Sequence, residues 1–487
     1  MIQQISYYIS KAGIISAAGK IEDERRRLSD MPTPAAFVSY APSLPALVGW
    51  YGYRVAFNGV GRVQLEAALD SLRRHFRLRD VREWYDRYSG FYIIEALFAV
   101  RMNLPGGVFG GAQPAPDLTE YLNFTMPNGG TVTLTRNGTP TVVDLEYSLD
   151  DRQTWTDWQE VGNVRTLTLT AGQIMWLRNK SETQTGFSTS IDDCYLFSFV
   201  GTVAASGNCN SLLCKIPNIV TALSDYCYFR MFYSCTSLTL FEGFTLPATT
   251  LDVSCYRDMF IFCSSLTLPD DFTLPATTLA EECYRSMFQG CTSLTLPDGF
   301  TLPATTLAIS CYNDMFNGCT SLTLPDGFTL PATTLASTCY RSMFRRCTSL
   351  TLPDGFMLPA TTLADNCYYY MFRNCTSLTL PNGFTLPAST LAANCYYAMF
   401  RDCSSLTLPD GFMLPATTLA ISCYAYMFYN CTLLNKIHTL MTDISASNCL
   451  TDWLYGVAAT GDLYCDQNLT IPTGASGIPS GWTRHDI

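Results

Sequence analysis

Histidine is nearly missing from this chain: three occur in 487 residues, His75, His438 and His485. None stands in an H-E-x-x-H arrangement or beside a cysteine or serine nucleophile motif. No phosphate-cradling loop and no dinucleotide fingerprint occurs either, so the sequence patterns of metalloproteases, nucleotide-dependent enzymes and dehydrogenases are excluded. Charge is sparse as well, at 15% against 48% hydrophobic and 13% aromatic residues, which excludes a disordered chain and provides for a large core. There is no run of about 18 or more apolar residues, so no membrane span is expected. The opening MIQQISYYISKAGIISAAGK lacks a basic stretch ahead of its apolar one. No secretion signal is therefore expected, and synthesis in a cytosol is.

What charge there is lies unevenly. Residues 1–105 hold 14 Lys/Arg against 10 Asp/Glu, or +4, leaving 16 against 31, or −15, for the rest. A basic head on an acidic body predicts a separate partner for the head. Within 1–105, Leu65, Leu69, Leu72 and Phe76, continued by Val81, Trp84, Tyr85 and Tyr88, follow a helical spacing, and a mixed, mostly helical attachment domain is predicted. Arg73, Arg74, Arg77, Arg82 and Arg87 decorate it as the expected particle-docking face. Acidic residues interleave with them, so nucleic acid is not the expected partner. A Gly/Pro linker follows at 106–117. Over 118–206, GGTVTLTRNG, DLEYSLDD and VRTLTLTAGQIMWLRN alternate between turn signals, predicting a small antiparallel, immunoglobulin-like β-sandwich.

From 207 to 434 one sentence repeats. Cys227, Cys255, Cys283 and onward to Cys423 recur every 28 residues, and Cys235 to Cys431 keep the same beat eight residues later. An uninterrupted period of this length predicts a leucine-rich-repeat solenoid, with strand plus short helix in each unit. In unit 291–318, Leu294 and Leu296 read as the strand, and Pro297-Asp298-Gly299 as a turn. Leu307, Cys311, Met315 and Cys319 read as the buried face of a helix capped by Thr305 or Thr306. Asp271 stands where other units have that turn glycine, so its turn is expected to differ. A lone unit buries too little to offset about 1–2 kcal/mol of backbone entropy per residue; stacking is required. Residues 435–487, with Trp453 and Trp482, lose the beat and read as a C-terminal cap.

Paired cysteines invite metal, disulfide and free-thiol readings. The C-x7-C spacing with no histidine does not suit zinc, and eight helical residues hold thiols too far apart for a bridge within a unit. Bridges between stacked units remain open on distance, beside buried free thiols. Asp270, Asp298, Asp326, Asp354 and Asp410 form a ladder that suits either calcium or turns, with Asn382 interrupting it. No cofactor, metal or catalytic residue is expected. What varies between units are the positions after CY and MF. Arg257, Arg285, Asn313, Arg341, Tyr369, Tyr397 and Tyr426 form the expected ligand-facing stripe with Arg345, Arg346, Arg373 and Arg401.

The unit MF-x-x-C-[TS]-S-L-T-L-P resembles the AF-x-x-C-x-S-L-x-x-I-x-I-P core of BspA-type bacterial surface leucine-rich repeats. LPATTLA-x-x-CY-x-x-MF, LEYSLDDRQTWTDW and the closing GVAATGDLYCDQNLTIPTGASGIPSGWT are similar to parts of phage fibre-like proteins of gut bacteria. The resemblance covers 118–487 and implies adhesion or host recognition without enzymatic activity. With no signal segment, the expected setting is a virion assembled in the host cytoplasm, as a head or tail fibre or decoration protein. Its expected partners are other virion proteins through residues 1–105, a bacterial surface glycan or protein through the repeats, and further copies of itself, as a trimer. A bacterial cell-surface adhesin is the alternative.

Overall fold

In the computed structural model, residues 121–139, 143–180, 186–215 and 220–487 are described in full; earlier residues are described only as the backbone of four strands. The chain divides into two units, Met1–Ala115 and Pro116–Ile487.

Among its described residues the first unit is a sheet, which corrects the expectation of a mostly helical head. Strands β1 (Ile2–Ser10), β2 (Trp50–Asn58), β3 (Arg77–Asp86) and β4 (Phe91–Ala99) pair antiparallel in the order β1-β2-β4-β3. A register shift between Leu78 and Asp80 inserts one residue into β3. Such a bulge breaks the two-residue alternation of a strand at that point, so Leu78 and Val81 stand a helix-like three residues apart, while Val81, Trp84 and Tyr85 fall in the regular part of β3. Leu65, Leu69, Leu72, Phe76 and Tyr88 lie outside the described residues.

The second unit begins with β5 (Asn123–Thr125), β6 (Gly130–Asn137), β7 (Leu145–Ser148), β8 (Thr156–Asp157), β9 (Val164–Leu169), β10 (Ile174–Asn179), β11 (Cys194–Val200) and β12 (Val203–Ser206). Two sheets share a core, where Phe124 of β5 meets Phe197 and Phe199 of β11 at 5.0 and 5.1 Å. One sheet has the order β11-β6-β9. The other does not stop at residue 206 as a self-contained antiparallel sandwich would. It runs β13-β12-β5-β10-β7-β8, taking in β13 (Leu238–Leu240) of the first repeat parallel to β12.

The repeats correct the leucine-rich-repeat solenoid of strand plus helix. Among the described residues there is no α-helix, only a 3-10 turn at Cys209–Leu212, and β13 is the one named strand inside the eight 28-residue units. The segment read as a helix is instead a ribbon of overlapping turns. In unit 308–319 the amides of Cys311, Asn313, Met315, Asn317 and Cys319 each donate to the carbonyl three residues back, at 3.1–3.3 Å. The alternate amides, of Ser310, Tyr312, Asp314, Phe316 and Gly318, donate to Ser337, Cys339, Arg341, Met343 and Arg345 of the next coil at 2.8–3.1 Å. Ser310, Asp314 and Gly318 are left-handed, with φ of 53°, 56° and 78°. The backbone therefore repeats every four residues, which is why the buried side chains recur at the i, i+4 spacing of a helix.

Left-handed backbone costs a non-glycine residue about 1–2 kcal/mol. Five ladder hydrogen bonds per junction, at about 0.5–1.5 kcal/mol each, offset two or three such residues. The net gain then comes from burial. Cys311, Tyr312, Met315, Phe316 and Cys319 are 0–1% exposed, as are their counterparts in neighbouring units. Their rings form columns: Tyr284, Tyr312 and Tyr340 stack at 5.7–5.8 Å, and Phe288, Phe316 and Phe344 at 5.7 Å.

The other half of each coil is extended without forming a sheet, because Pro297 and Pro303 lack ladder donors. Phe272, Phe300 and Phe328 stack more widely here, at 6.3 Å. Thr305 and Thr306 cap no helix; Thr306 makes an isolated parallel bridge to Thr334. The turn glycine behaves as expected. Phe300 N–H donates to Pro297 O at 3.1 Å, and Gly299 takes φ 78° in open space, so the requirement is conformational rather than steric. At Asp271 the turn survives, with Phe272 N–H on Pro269 O, but that residue is not left-handed. Its carboxylate accepts instead from Gly243 N–H at 2.8 Å.

Both ends of the stack are closed. At the start, the amides of Ser188 and of Phe197 in β11 donate at 2.8 Å to the Cys227 and Met231 carbonyls of the first coil. At the end the beat shortens to 26 residues between Cys423 and Cys449. Trp453 takes the place of the methionine, fully buried, with its indole N–H on Gly477 O at 3.0 Å. Strands β14 (Lys436–His438), β15 (Gly461–Cys465) and β16 (Trp482–Asp486) then form a parallel sheet. One apolar core runs from Leu122 to Trp482.

Candidate functional site

Between its constant buried residues the ribbon carries two variable pairs per coil, two and three residues after the first cysteine and again six and seven after; in the first pair one member is buried in every coil except at Tyr369 and Tyr370. The first coils use these positions for their own cohesion. Arg230 lies 3.2 Å from the carboxylate of Asp258, while Arg257 and Arg285 both hold Glu282. Burial pushes the Asp258 carboxyl up, and Arg257 and Arg230 draw it back. Of the expected stripe, then, Arg257 and Arg285 are structural ion-pair partners. Asn313 is only 6% exposed.

From Arg341 onward the face changes. Tyr369 and Tyr397 stack at 4.6 Å and 6°, and Tyr370 packs on Tyr369 at 4.1 Å. Guanidinium groups lie over these rings: Arg341 at 5.0 Å from Tyr369, and Arg373 and Arg345 at 4.7 and 5.6 Å from Tyr370. Cation–π contact favours this arrangement, by about 0.5–1 kcal/mol at exposed sites. Arg401 lies over Tyr429 at 4.4 Å and Tyr426 at 5.5 Å, and Tyr429 stacks on Tyr455 at 4.7 Å. Asp402 sits 3.3 Å from Arg401 and 3.9 Å from Arg373. Arg341, Arg345 and Arg346 make no ion pair with any carboxylate among the described residues. Burial, with Arg346 and Arg373 as like-charged neighbours, holds the Arg345 guanidinium below its ordinary value. Burial and the Tyr370 hydroxyl hold the Tyr369 phenol well above its own, so it stays neutral.

The stripe thus splits. Arg341, Tyr369, Tyr397, Arg345, Arg346 and Arg373 come together with Tyr370, while Tyr426 and Arg401 belong to an adjoining group with Tyr429 and Tyr455. Tyr370 and Tyr429 occupy the same variable offsets as the residues singled out in the sequence. Tyr455 escapes because its coil follows the 26-residue step. Of the expected docking face, Arg77 and Arg82 fall in β3, opposite Ala99 and Glu95 of β4; Arg73, Arg74 and Arg87 lie outside the described residues.

All 21 cysteines are unpaired and buried. The second cysteine of each unit does more than fill space: Cys263, Cys291, Cys319 and Cys347 each donate at 3.0 Å to the phenylalanine carbonyl of the coil before. No group of three or more His, Cys, Asp or Glu able to hold a metal occurs among the described residues, and none of their helices is long and apolar enough to cross a membrane.

Against protein-family models, curated proteins and solved structures, the chain matches none. What fold and site define is a repeat protein with a constant stacked core, closed at both ends, and a variable outer face of arginine and tyrosine.

Proposed function

We propose that this is a non-enzymatic virion protein that recognises the bacterial host surface through the outer face of its turn ribbon, with residues 1–105 attaching it to the particle. The observation carrying this reading is the contrast within each coil. Five inward positions keep Cys, Tyr, Met, Phe and Cys through eight units, while the four positions between them change and gather rings and guanidinium groups between Arg341 and Tyr455. Tyrosine supplies large contact area at low entropic cost, and tyrosine and arginine dominate recognition surfaces. Likeness of the unit to BspA-type surface repeats supports the same reading. The head or tail setting and a trimeric assembly are part of the proposal.

The test uses the full chain, displayed on particles or purified, in attachment to host cells. Replacing Tyr369, Tyr397 and Arg373 by alanine together is expected to reduce attachment at least tenfold while the chain still unfolds cooperatively, with its thermal midpoint lowered by only a few degrees, about 2–4 °C per kcal/mol lost. Unchanged attachment would overturn the recognition role. Antibody labelling on purified particles supports the virion setting; labelling confined to the bacterial envelope replaces it with a cell-surface adhesin.

A further inference from the structure

The arginines of the outer face are not all alike, and the difference names the chemistry of the ligand. At Arg257 and Arg285 the molecule supplies its own acid, Glu282, from the same face. At Arg341, Arg345 and Arg346 it supplies none. Asp314, one coil back, is the carboxylate whose field reaches Arg341 and Arg345, yet it accepts from the Asn317 amide at 2.9 Å and makes no ion pair. Asp365 accepts from the Ala393 amide at 3.0 Å. Asp402 serves Arg401, lying 3.9 Å from Arg373. The Nε atom of Arg345 is buried without a hydrogen-bond partner, as are those of Arg373 and Arg257. Three cations beside one another on an otherwise acidic body repel. Beside them lies the Tyr369–Tyr397 stack.

We infer that Arg341, Arg345, Arg346 and the Tyr369–Tyr397 stack form a binding site for an acidic saccharide, its carboxylate or phosphate on the guanidinium groups and its sugar against the edges of the stacked rings. The inference rests on the recognition role proposed above and specifies its ligand. Guanidinium is the side chain that meets carboxylate and phosphate with paired donors. A saccharide fits better than a nucleic acid because the two stacked tyrosines already occupy each other's faces at 4.6 Å, which leaves no gap for a base.

The test measures binding of the full chain to immobilised polygalacturonate (carboxylate), polyglycerol-phosphate teichoic acid (phosphate), dextran (neutral) and single-stranded DNA. Binding to either acidic polymer, absent on dextran and weakened by salt, is expected, and which polymer binds identifies the anionic group. The triple variant Arg341→Gln, Arg345→Gln, Arg346→Gln is expected to bind on the order of 100-fold more weakly, since each charged hydrogen bond lost is worth roughly tenfold or more. Arg257→Gln with Arg285→Gln is expected to stay within about twofold of the parent. Equal binding to dextran, tighter binding to DNA, or no binding to either acidic polymer would each overturn the inference. The cell-attachment assay separates the two levels. If the triple variant attaches normally while Tyr369→Ala with Tyr397→Ala does not, recognition stands and the acidic ligand falls. If both attach as the parent does, recognition itself falls.

Discussion

A thiol in the second cysteine column has two environments at once: apolar rings around the sulfur and a carbonyl of the preceding coil as its acceptor. For Cys319 burial pushes the thiol up to about 12, and Cys375 behaves in the same way. Only the thiolate is reactive, so these groups are inert while the coils are stacked. A charged thiol reagent at pH 8 is therefore expected to label essentially none of the 21 cysteines in the native chain and all of them in denaturant. Substantial native labelling of the columns, read by mass spectrometry, would contradict the packing described. Glycine has a comparable local logic at one place. At Gly290 an added Cβ would stand 2.5 Å from the Phe262 ring, whereas at Gly318 nothing comes closer than 3.8 Å. The left-handed position itself tolerates Asp314, Tyr370 or Arg346, so glycine is demanded by the neighbouring ring and not by the ribbon.

At the scale of elements, the ribbon shows why the repeat was legible and its conformation was not. The 28-residue beat, the inward cysteines and leucines, the turn at Gly299 and the variable outward offsets all stand in the letters. A four-residue turn period and a 3.6-residue helical one cannot be told apart over eleven residues. What distinguishes them is where alternate amides donate, and their acceptors lie 27 residues ahead. Similarly, nothing in 118–206 signals that β12 pairs with β13, because the pairing depends on the first coil lying alongside. In the candidate site, the residue types were legible, but the separation of paired from unpaired arginines depends on where Glu282 and Asp402 come to rest. The closing sheet carries its own pH dependence. His438 stacks on Tyr464 at 4.1 Å, which stacks on His485 at 4.4 Å, and His485 lies 2.6 Å from Asp462. Burial, then Lys436 and His485, lower the His438 pKa below its ordinary value. The folded form thus disfavours the proton. Its contribution is complete above pH ~6.5 and is lost as pH falls through the lowered folded value. His438→Gln is expected to flatten the fall in thermal midpoint between pH 7 and pH 5, measured by circular dichroism; a curve parallel to the parent's would refute this assignment.

For the molecule as a whole, nearest-neighbour stacking makes the repeat number adjustable, since a stack's stability is close to a sum over units and junctions. Deleting residues 311–338, one full period, is expected to leave a cooperatively unfolding protein with a midpoint within roughly 5 °C of the parent. Deleting 311–324 removes half a coil and is expected to abolish that transition, because inward positions then face outward ones across the cut. The half-period deletion retaining the transition would contradict the junctions described. The ribbon also has a sense of direction. At every junction the five alternate amides donate forward, from Tyr226, Tyr228, Arg230, Phe232 and Ser234 in the first coil to Ser422, Tyr424, Tyr426, Phe428 and Asn430 in the eighth. Their dipoles add, as they do along a helix, instead of cancelling as in most sheets. One end of the column is thus a row of acceptors and the other a row of donors. Like ends cannot pair, so two-fold joining of copies through the same end is forbidden. Unlike ends would pair without limit, as a head-to-tail filament. Ser188 and Phe197 cover the acceptor row, and Ser476 with Ala475 covers the donor row through Asp452 and Leu454. The end pieces are what keep the stack finite.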